Sequence, residues 1–258
     1  MKVLDGKAAI VTGGARGIGQ ATAALLAEQG ARVLIVDIDA DAAERAASDL
    51  GDAHAAFAGD LTQPGTPEQL VEAAIEGFGH LDIVVNNAGY TLDGMAHKMT
   101  DDQFRAMLEI HTVAPFRVLR AAAPYLRDAG KADRDAGREV FRKVVNVTSI
   151  SGTQGNVGQA NYASAKAGLI GLTKTLAREW GPFKVNVNAV AFGFVETRMT
   201  ADLPQQMRDA APQVIPLGRP AQPAEAAGAI FFLCSPWSNF VHGQVITASG
   251  GQTTGMTS

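Results

Sequence analysis

Two side chains in the stretch NYASAKAG, Asn161 to Gly168, are of a kind that moves protons: the phenol of Tyr162 and the ammonium of Lys166. Four residues apart, they share one face of a helix, a turn from each other. Alanine, serine and glycine surround them and leave room for a third molecule to approach. Two readings stand: a packing pair on a helix surface, or a phenol held beside a cation for proton transfer. A free tyrosine ionises near pH 10. Transfer at neutral pH therefore needs a neighbour that favours the phenolate, and a cation is one.

A second stretch carries a different chemistry. TGGARGIG, Thr12 to Gly19, follows an apolar run and opens a helical one. Gly13, Gly17 and Gly19 permit a tight turn and close approach of a pyrophosphate to a helix N-terminus. Glycine-rich turns also arise for conformational reasons alone, so the context decides. The next apolar run, RVLIVD, ends in Asp37, at roughly the 20-residue spacing of a dinucleotide site. A carboxylate there accepts hydrogen bonds from both adenosine ribose hydroxyls and repels a 2′-phosphate, which favours NAD(H) over NADP(H). Arg16, inside the turn, pulls the other way, because a guanidinium pairs with phosphate. Asp37 could also cap the following helix, a role compatible with the first.

The elements that must position these residues follow from periodicity. Short β-branched runs recur as AAIVTG, RVLIVD, HAAFAGD, DIVVNN, KVVNVTS, VNVNAVA and QVITASGG. Between most of them lie alanine- and leucine-rich segments of helical spacing: 19–29, 40–50, 67–78, 101–128, 162–180 and 223–234. Strand and helix in alternation predict an α/β fold, a Rossmann-type doubly wound parallel sheet with helices on both faces. No internal repeat or linker divides the chain, so residues 1–258 are expected to form one dinucleotide-binding and catalytic domain. The charged stretch RDAGKADRDAGREVFRK, 127–143, is expected to be a solvated surface excursion.

Composition narrows the function classes. With 258 residues, 47% hydrophobic and 19% charged, the chain is long and apolar enough for a substantial core and is not disordered. The formal net charge is −4 with no long basic run, which argues against nucleic acid. The single cysteine, Cys234, sits in the apolar run AIFFLCSP, where a buried structural role is expected. His54, His80, His97, His111 and His242 lack the paired spacing of metal ligands. There is no signal-peptide pattern and no run long enough to span a bilayer, and a cytoplasmic location is expected.

Six motifs in order give a more specific identity. TGGARGIG, GDLT (59–62), NNAG (86–89), NVTSISG (146–152), YASAK (162–166) and GFVETRM (193–199) together resemble the short-chain dehydrogenase/reductase family over nearly the whole chain. Within it, GNVGQANYASAKAGLIGLTKTLARE is similar to bacterial 3-oxoacyl-[acyl-carrier-protein] reductases. The resemblance implies an NAD(P)-dependent oxidoreductase acting on a CH–OH/C=O pair, and a homotetramer. It implies that Ser149 hydrogen-bonds the substrate oxygen, that Tyr162 is the general acid or base, and that Lys166 tunes the phenol downward and holds the nicotinamide ribose. The implied cofactor set is Gly13, Arg16, Gly17, Ile18, Gly19, Asp37, Asp60 (adenine), Leu61, Asn87, Ala88, Gly89, Tyr162, Lys166, Val195 and Thr197. At 199–217 the sequence leaves two readings, a lid over the substrate or a peripheral helix, and the lid is expected.

Two positions depart from the family pattern. His111 stands in EIHTVAPF where an asparagine usually completes the catalytic set. It is carried as a catalytic candidate, expected to titrate near neutral pH. Phe192 replaces the usual proline after the sixth strand. The substrate expected from the resemblance is a 3-oxoacyl thioester of acyl carrier protein or coenzyme A, with Lys98, Arg117 and Arg120 as candidate docking cations. A dehydrogenase of a sugar alcohol, hydroxysteroid or other small secondary alcohol is the alternative. A non-catalytic nucleotide sensor is the alternative of another class, disfavoured by the intact Ser149, Tyr162 and Lys166.

Overall fold

The structure, a computed structural model, describes residues 2–201 and 205–253. In chain order the elements begin β1 (Ala8–Thr12), α1 (Gly17–Glu28), β2 (Arg32–Asp37), α2 (Ala40–Leu50), β3 (Ala55–Ala58), α3 (Thr66–Phe78) and β4 (Ile83–Asn86). Next come α4 (Asp101–Leu108), α5 (Ala114–Ala123), α6 (Ala129–Asp135), β5 (Arg142–Ser149), α7 (Ile150–Gln154) and α8 (Ala160–Trp180). The chain then runs through β6 (Val185–Phe192), α9 (Arg198–Ala201), α10 (Gln205–Val214), α11 (Pro223–Cys234) and β7 (Val245–Ala248). Each apolar run predicted as a strand is one.

All seven strands pair parallel in the order β3-β2-β1-β4-β5-β6-β7. Both faces of the sheet are covered, which is why the central strands read as continuous apolar runs. Side chains alternate between two cores with period two. Ile10, Val84, Val144 and Val187 pack with α3, α4, α5 and α8, while Val11, Val85, Val145 and Val190 pack with α1, α2 and α11. The order reverses at β1, which pairs with both β2 and β4. That opens a crevice at the C-terminal ends of the strands, the place where such sheets bind ligands.

The long helix predicted over 101–128 is interrupted twice. Wider π-turns occupy Glu109–Val113 and Pro124–Asp128. Each interruption has a proline at or just past it. Pro115 has no N–H for the carbonyl of His111, and Pro124 has none for that of Arg120, so regular α-helical bonding fails there. The first interruption falls on the catalytic side of the fold.

The 127–143 segment, expected to be a solvated excursion, is exposed from Lys131 to Glu139 apart from Asp133. It continues as helix through Asp135 and buries two charges. Asp133 forms ion pairs with Arg138 at 2.7 Å and Arg142 at 2.9 Å. The Lys143 ammonium donates to Asn186, Ser238 and Asn239. These partners lie far along the chain, so a local charge count could not show the burial. Cys234 is buried as expected, and burial pushes its thiol up to about 12. No helix among the described residues is long and apolar enough to cross a membrane, and no group of side chains among them is arranged to hold a metal ion.

Candidate active site

A cleft of about 840 Å³ lies at the C-terminal edge of the sheet. Every catalytic and cofactor candidate named from the sequence lines it except Gly19; the candidate docking cations Lys98, Arg117 and Arg120 do not. Gly19 has a different part: a Cβ there would stand 2.0 Å from the carbonyl oxygen of Gly13. It lets the start of α1 close on the turn behind the cleft.

The turn is built from the inside. Thr12, buried at the end of β1, donates from Oγ1 to the Val85 carbonyl and accepts from the N–H groups of Asn87 and Ala88. Asn87 returns its side-chain amide to the carbonyls of Thr12 (3.0 Å) and Gly13 (3.1 Å). The ends of β1 and β4 are thereby tied together. Gly13 has φ +61°, and a Cβ on it would lie 2.8 Å from the Ala88 Cα; only glycine fits. Gly17, at φ +55°, starts α1 with its backbone toward the cleft, as anion binding requires.

At the end of β2, Asp37 accepts from the Ala15 N–H at 3.3 Å and from the Asp39 N–H at 3.2 Å. The helix cap weighed for Asp37 belongs to Asp39, whose side chain accepts from the Ala42 N–H. Asp39 also takes Arg16 as its ion-pair partner. Sequence reading missed Asp39. Its signal was present, since it is an aspartate directly before an apolar helical repeat. Asp60 accepts from both the backbone and the hydroxyl of Thr62 and from Gln63, and the Thr62 hydroxyl bond leads in holding its carboxyl below the usual range.

The proton-moving residues meet where β5 and α8 converge. Ser149 ends β5 and caps α7, its Oγ accepting from the Ser151 N–H at 3.1 Å. Gly152 allows the close approach of α8, for a Cβ there would lie 2.7 Å from that of Lys166. Asn161 pins the start of α8. Fully buried, it donates to the carbonyls of Leu92 and Gln103 and accepts from the Tyr162 N–H. The Gln159 side chain joins Ser151, Asn156 and Asp93 ahead of it. Neither Asn161 nor Gln159 was singled out from the sequence, because their partners are distant in the chain.

Lys166 is buried, donates to the Val147 carbonyl at 2.7 Å and stands 5.6 Å from the centre of the Tyr162 ring. Burial lowers it from 10.5 to about 7. Tyr162 was expected to be tuned downward by Lys166 and the oxidised nicotinamide together; among the protein's own groups, burial raises it to about 12, against the opposing hydrogen bond to Ser149.

His111 departs from its expected titration near neutral pH. It sits in the first π-turn, is 2% exposed, and its ring meets that of Tyr162 edge-on at 5.0 Å. Nε2 lies 2.7 Å from the Tyr90 carbonyl, which makes Nε2 the protonated nitrogen and leaves Nδ1 a buried acceptor without a partner among the described residues. Burial, with the nearby Lys166 charge, puts its pKa well below 6.5. The imidazole is therefore neutral near pH 7 and does not titrate there. It fills the space above Gly89, where a Cβ would come within 2.1 Å of its Cε1. Phe192 is the last residue of β6; it packs into the core beneath α1 and α11 and also lines the cleft, as a place near the nicotinamide requires.

Comparison with known proteins agrees with this geometry. The family model described as enoyl-(acyl carrier protein) reductase matches residues 13–253. The 3-oxoacyl-[acyl-carrier-protein] reductase FabG of Vibrio cholerae is 41% identical over 96% of this chain and 98% of its own. The protein of that name from Thermotoga maritima is 38% identical over 96% and 98%. In three dimensions, a 3-ketoacyl-(acyl-carrier-protein) reductase from Brucella melitensis, solved with NADH, superposes with a TM-score of 0.88 at 32% identity, over 97% of this chain and 99% of that one. The chain belongs to the short-chain dehydrogenase/reductase family and is an oxidoreductase acting on a CH–OH/C=O pair.

Proposed function

We propose that the protein reduces a 3-oxoacyl thioester, carried on acyl carrier protein or coenzyme A, with NADH as the hydride source. The observation that carries this reading is the convergence of Ser149, Tyr162 and Lys166 in the same cleft as the glycine turn and Asp37. The names borne by the relatives supply the thioester.

The cleft fits a dinucleotide on its own evidence. Gly13 leaves a cradle that a Cβ would fill, the start of α1 faces it, and Asp37 lines the end where an adenosine ribose would lie. The nicotinamide, when bound, supplies the hydride and, once oxidised, a positive charge beside the phenol. Tyr162 Oη gives its proton to the substrate oxygen as that oxygen gains charge, and Ser149 Oγ stabilises the same oxygen. One Lys166 N–H is committed to the Val147 carbonyl, which leaves Nζ at least one further donor for ribose hydroxyls in either protonation state. With the phenol raised to about 12 by the protein alone, the tyrosine is a proton donor suited to reduction. For oxidation it must draw on the cofactor's charge.

The segment 199–217 is read as the substrate lid. Its described parts lie in α9, α10 and the turn that follows, and residues 202–204 lie outside the described ones. A second reading, a dehydrogenase of another secondary alcohol, is favoured by the state of the proposed docking cations. Arg117 is paired with Glu109 and Arg120 with Glu68, so two of three are already neutralised, and only Lys98 is left to attract an acidic carrier. NADH in place of NADPH points the same way.

The deciding experiment measures initial rates with acetoacetyl-CoA, crotonyl-CoA and a panel of secondary alcohols, each with both forms of the cofactor. Fast NADH-dependent turnover of acetoacetyl-CoA, with none of crotonyl-CoA, supports the proposal. Turnover confined to an alcohol selects the second reading. Binding of NADH with no turnover of any compound would favour a sensor.

A further inference from the structure

Arg16 and Asp39 form an ion pair at the rim of the cleft, with the guanidinium Nη2 2.5 Å from Oδ2. The pair is anchored from one side. Asp39 Oδ1 accepts from the Ala42 N–H at 3.0 Å and so caps α2. The Asp39 N–H donates to Asp37 Oδ1, and Asp37 Oδ2 accepts from the Ala15 N–H. The end of β2 and the glycine turn are thus stitched together. One carboxylate, Asp37, faces the cleft while the other, Asp39, holds the cation of the turn.

We propose that Asp39 is a specificity-determining residue for the dinucleotide, because it withholds Arg16 from a 2′-phosphate. This rests on the NAD(H) reading above and deepens it. Arg16 would otherwise be well placed for NADP(H): it lines the cleft beside Asp37 and carries five donors suited to phosphate. With Asp39 in place, the three residues sum to one negative charge. A phosphorylated cofactor must then either meet that charge or break the ion pair and leave two carboxylates facing it. Replacing Asp39 by a neutral side chain removes a negative charge and frees the guanidinium in one step. Discrimination against the 2′-phosphate is therefore divided between Asp37, by direct repulsion, and Asp39, by sequestration.

The test is equilibrium binding of NAD+ and NADP+, which requires no substrate and is independent of the thioester assignment. Four forms of the full chain are compared at one ionic strength: wild type, Asp39→Ser, Arg16→Ala and the double variant. Serine keeps the cap on α2 while removing the charge. Asp39→Asn serves the same purpose if the serine variant folds poorly. NADP+ is expected to bind Asp39→Ser on the order of tenfold more tightly than wild type, the scale of one charge acting on a nearby phosphate. NAD+ affinity should change less than about threefold, since NAD+ lacks that phosphate. The gain should vanish in the Arg16→Ala background. No gain in NADP+ affinity, or a gain that persists without Arg16, overturns the proposal. A wild type that binds NADP+ more tightly than NAD+ sinks the cofactor reading and this proposal with it. A wild type that prefers NAD+ alongside an unchanged Asp39→Ser sinks this proposal alone.

Discussion

Lys166→Met is expected to stabilise the fold at neutral pH while removing the reaction. Lys166 is buried with one backbone acceptor and no carboxylate partner, and its pKa falls from 10.5 to about 7. Between those values the unfolded chain holds a proton that the folded chain has released, so wild-type stability rises with pH across that window. Near pH 7 the folded protein bears a cost of about 4 kcal/mol for this group, from roughly 3 pKa units at 1.36 kcal/mol each. Methionine has no charge to desolvate. It loses the bond to the Val147 carbonyl and leaves that acceptor buried, a penalty of about 1–3 kcal/mol. The balance at neutral pH is a gain of about 1–3 kcal/mol. By about pH 9 the charge cost has halved and the two proteins should be nearly equal. Urea midpoints at a fixed subunit concentration, taken at both pH values, measure the difference. A variant less stable than wild type at neutral pH, or a difference that ignores pH, would refute the burial reasoning.

Three further perturbations probe the surrounding shell. Because the imidazole of His111 is neutral well above its depressed pKa, His111→Asn should leave the shape of the kcat/KM profile unchanged between about pH 6 and 8. Loss of an acidic limb in that range would return His111 to a titrating role. Gly89→Ala forces a Cβ against the ring of His111 and should cost about 1–3 kcal/mol in urea unfolding. Combining it with His111→Ala should recover part of that loss, and full additivity would mean the clash lies elsewhere. Asn161→Ala strips two carbonyls and the Tyr162 N–H of their partner and should destabilise by about 3 kcal/mol. A loss under about 1 kcal/mol would show that those groups find other partners.

What could be read from the chain and what could not divides by the reach of the interactions. Seven strands were visible because a parallel sheet buried on both faces writes its β-branched runs directly into the sequence. The bounds of α2 and α11 coincide with the apolar periods 40–50 and 223–234. The Tyr162–Lys166 spacing was legible for the same reason, since one helical turn relates them. The breaks at Pro115 and Pro124 were in plain view, yet a hydrophobic pattern runs through a π-turn without interruption, so the helix over 101–128 read as continuous. Charge states were beyond reach. Nothing local to YASAK says that Lys166 is desolvated enough to fall to about 7, or that a histidine from another helix stands edge-on to the tyrosine. Those facts come from β5, the first π-turn and α8 packing around one another. The same holds at the other end of the cleft. Arg16 and Asp37 each suggested a different cofactor, and the sequence had no means to weigh them. The ion pair to Asp39, 23 residues from Arg16, is the contact on which the proposed preference for NAD(H) rests. A glycine turn and an acidic stop identify a dinucleotide site; on the proposal made above, the discrimination between two dinucleotides resides in which carboxylate the arginine has already taken.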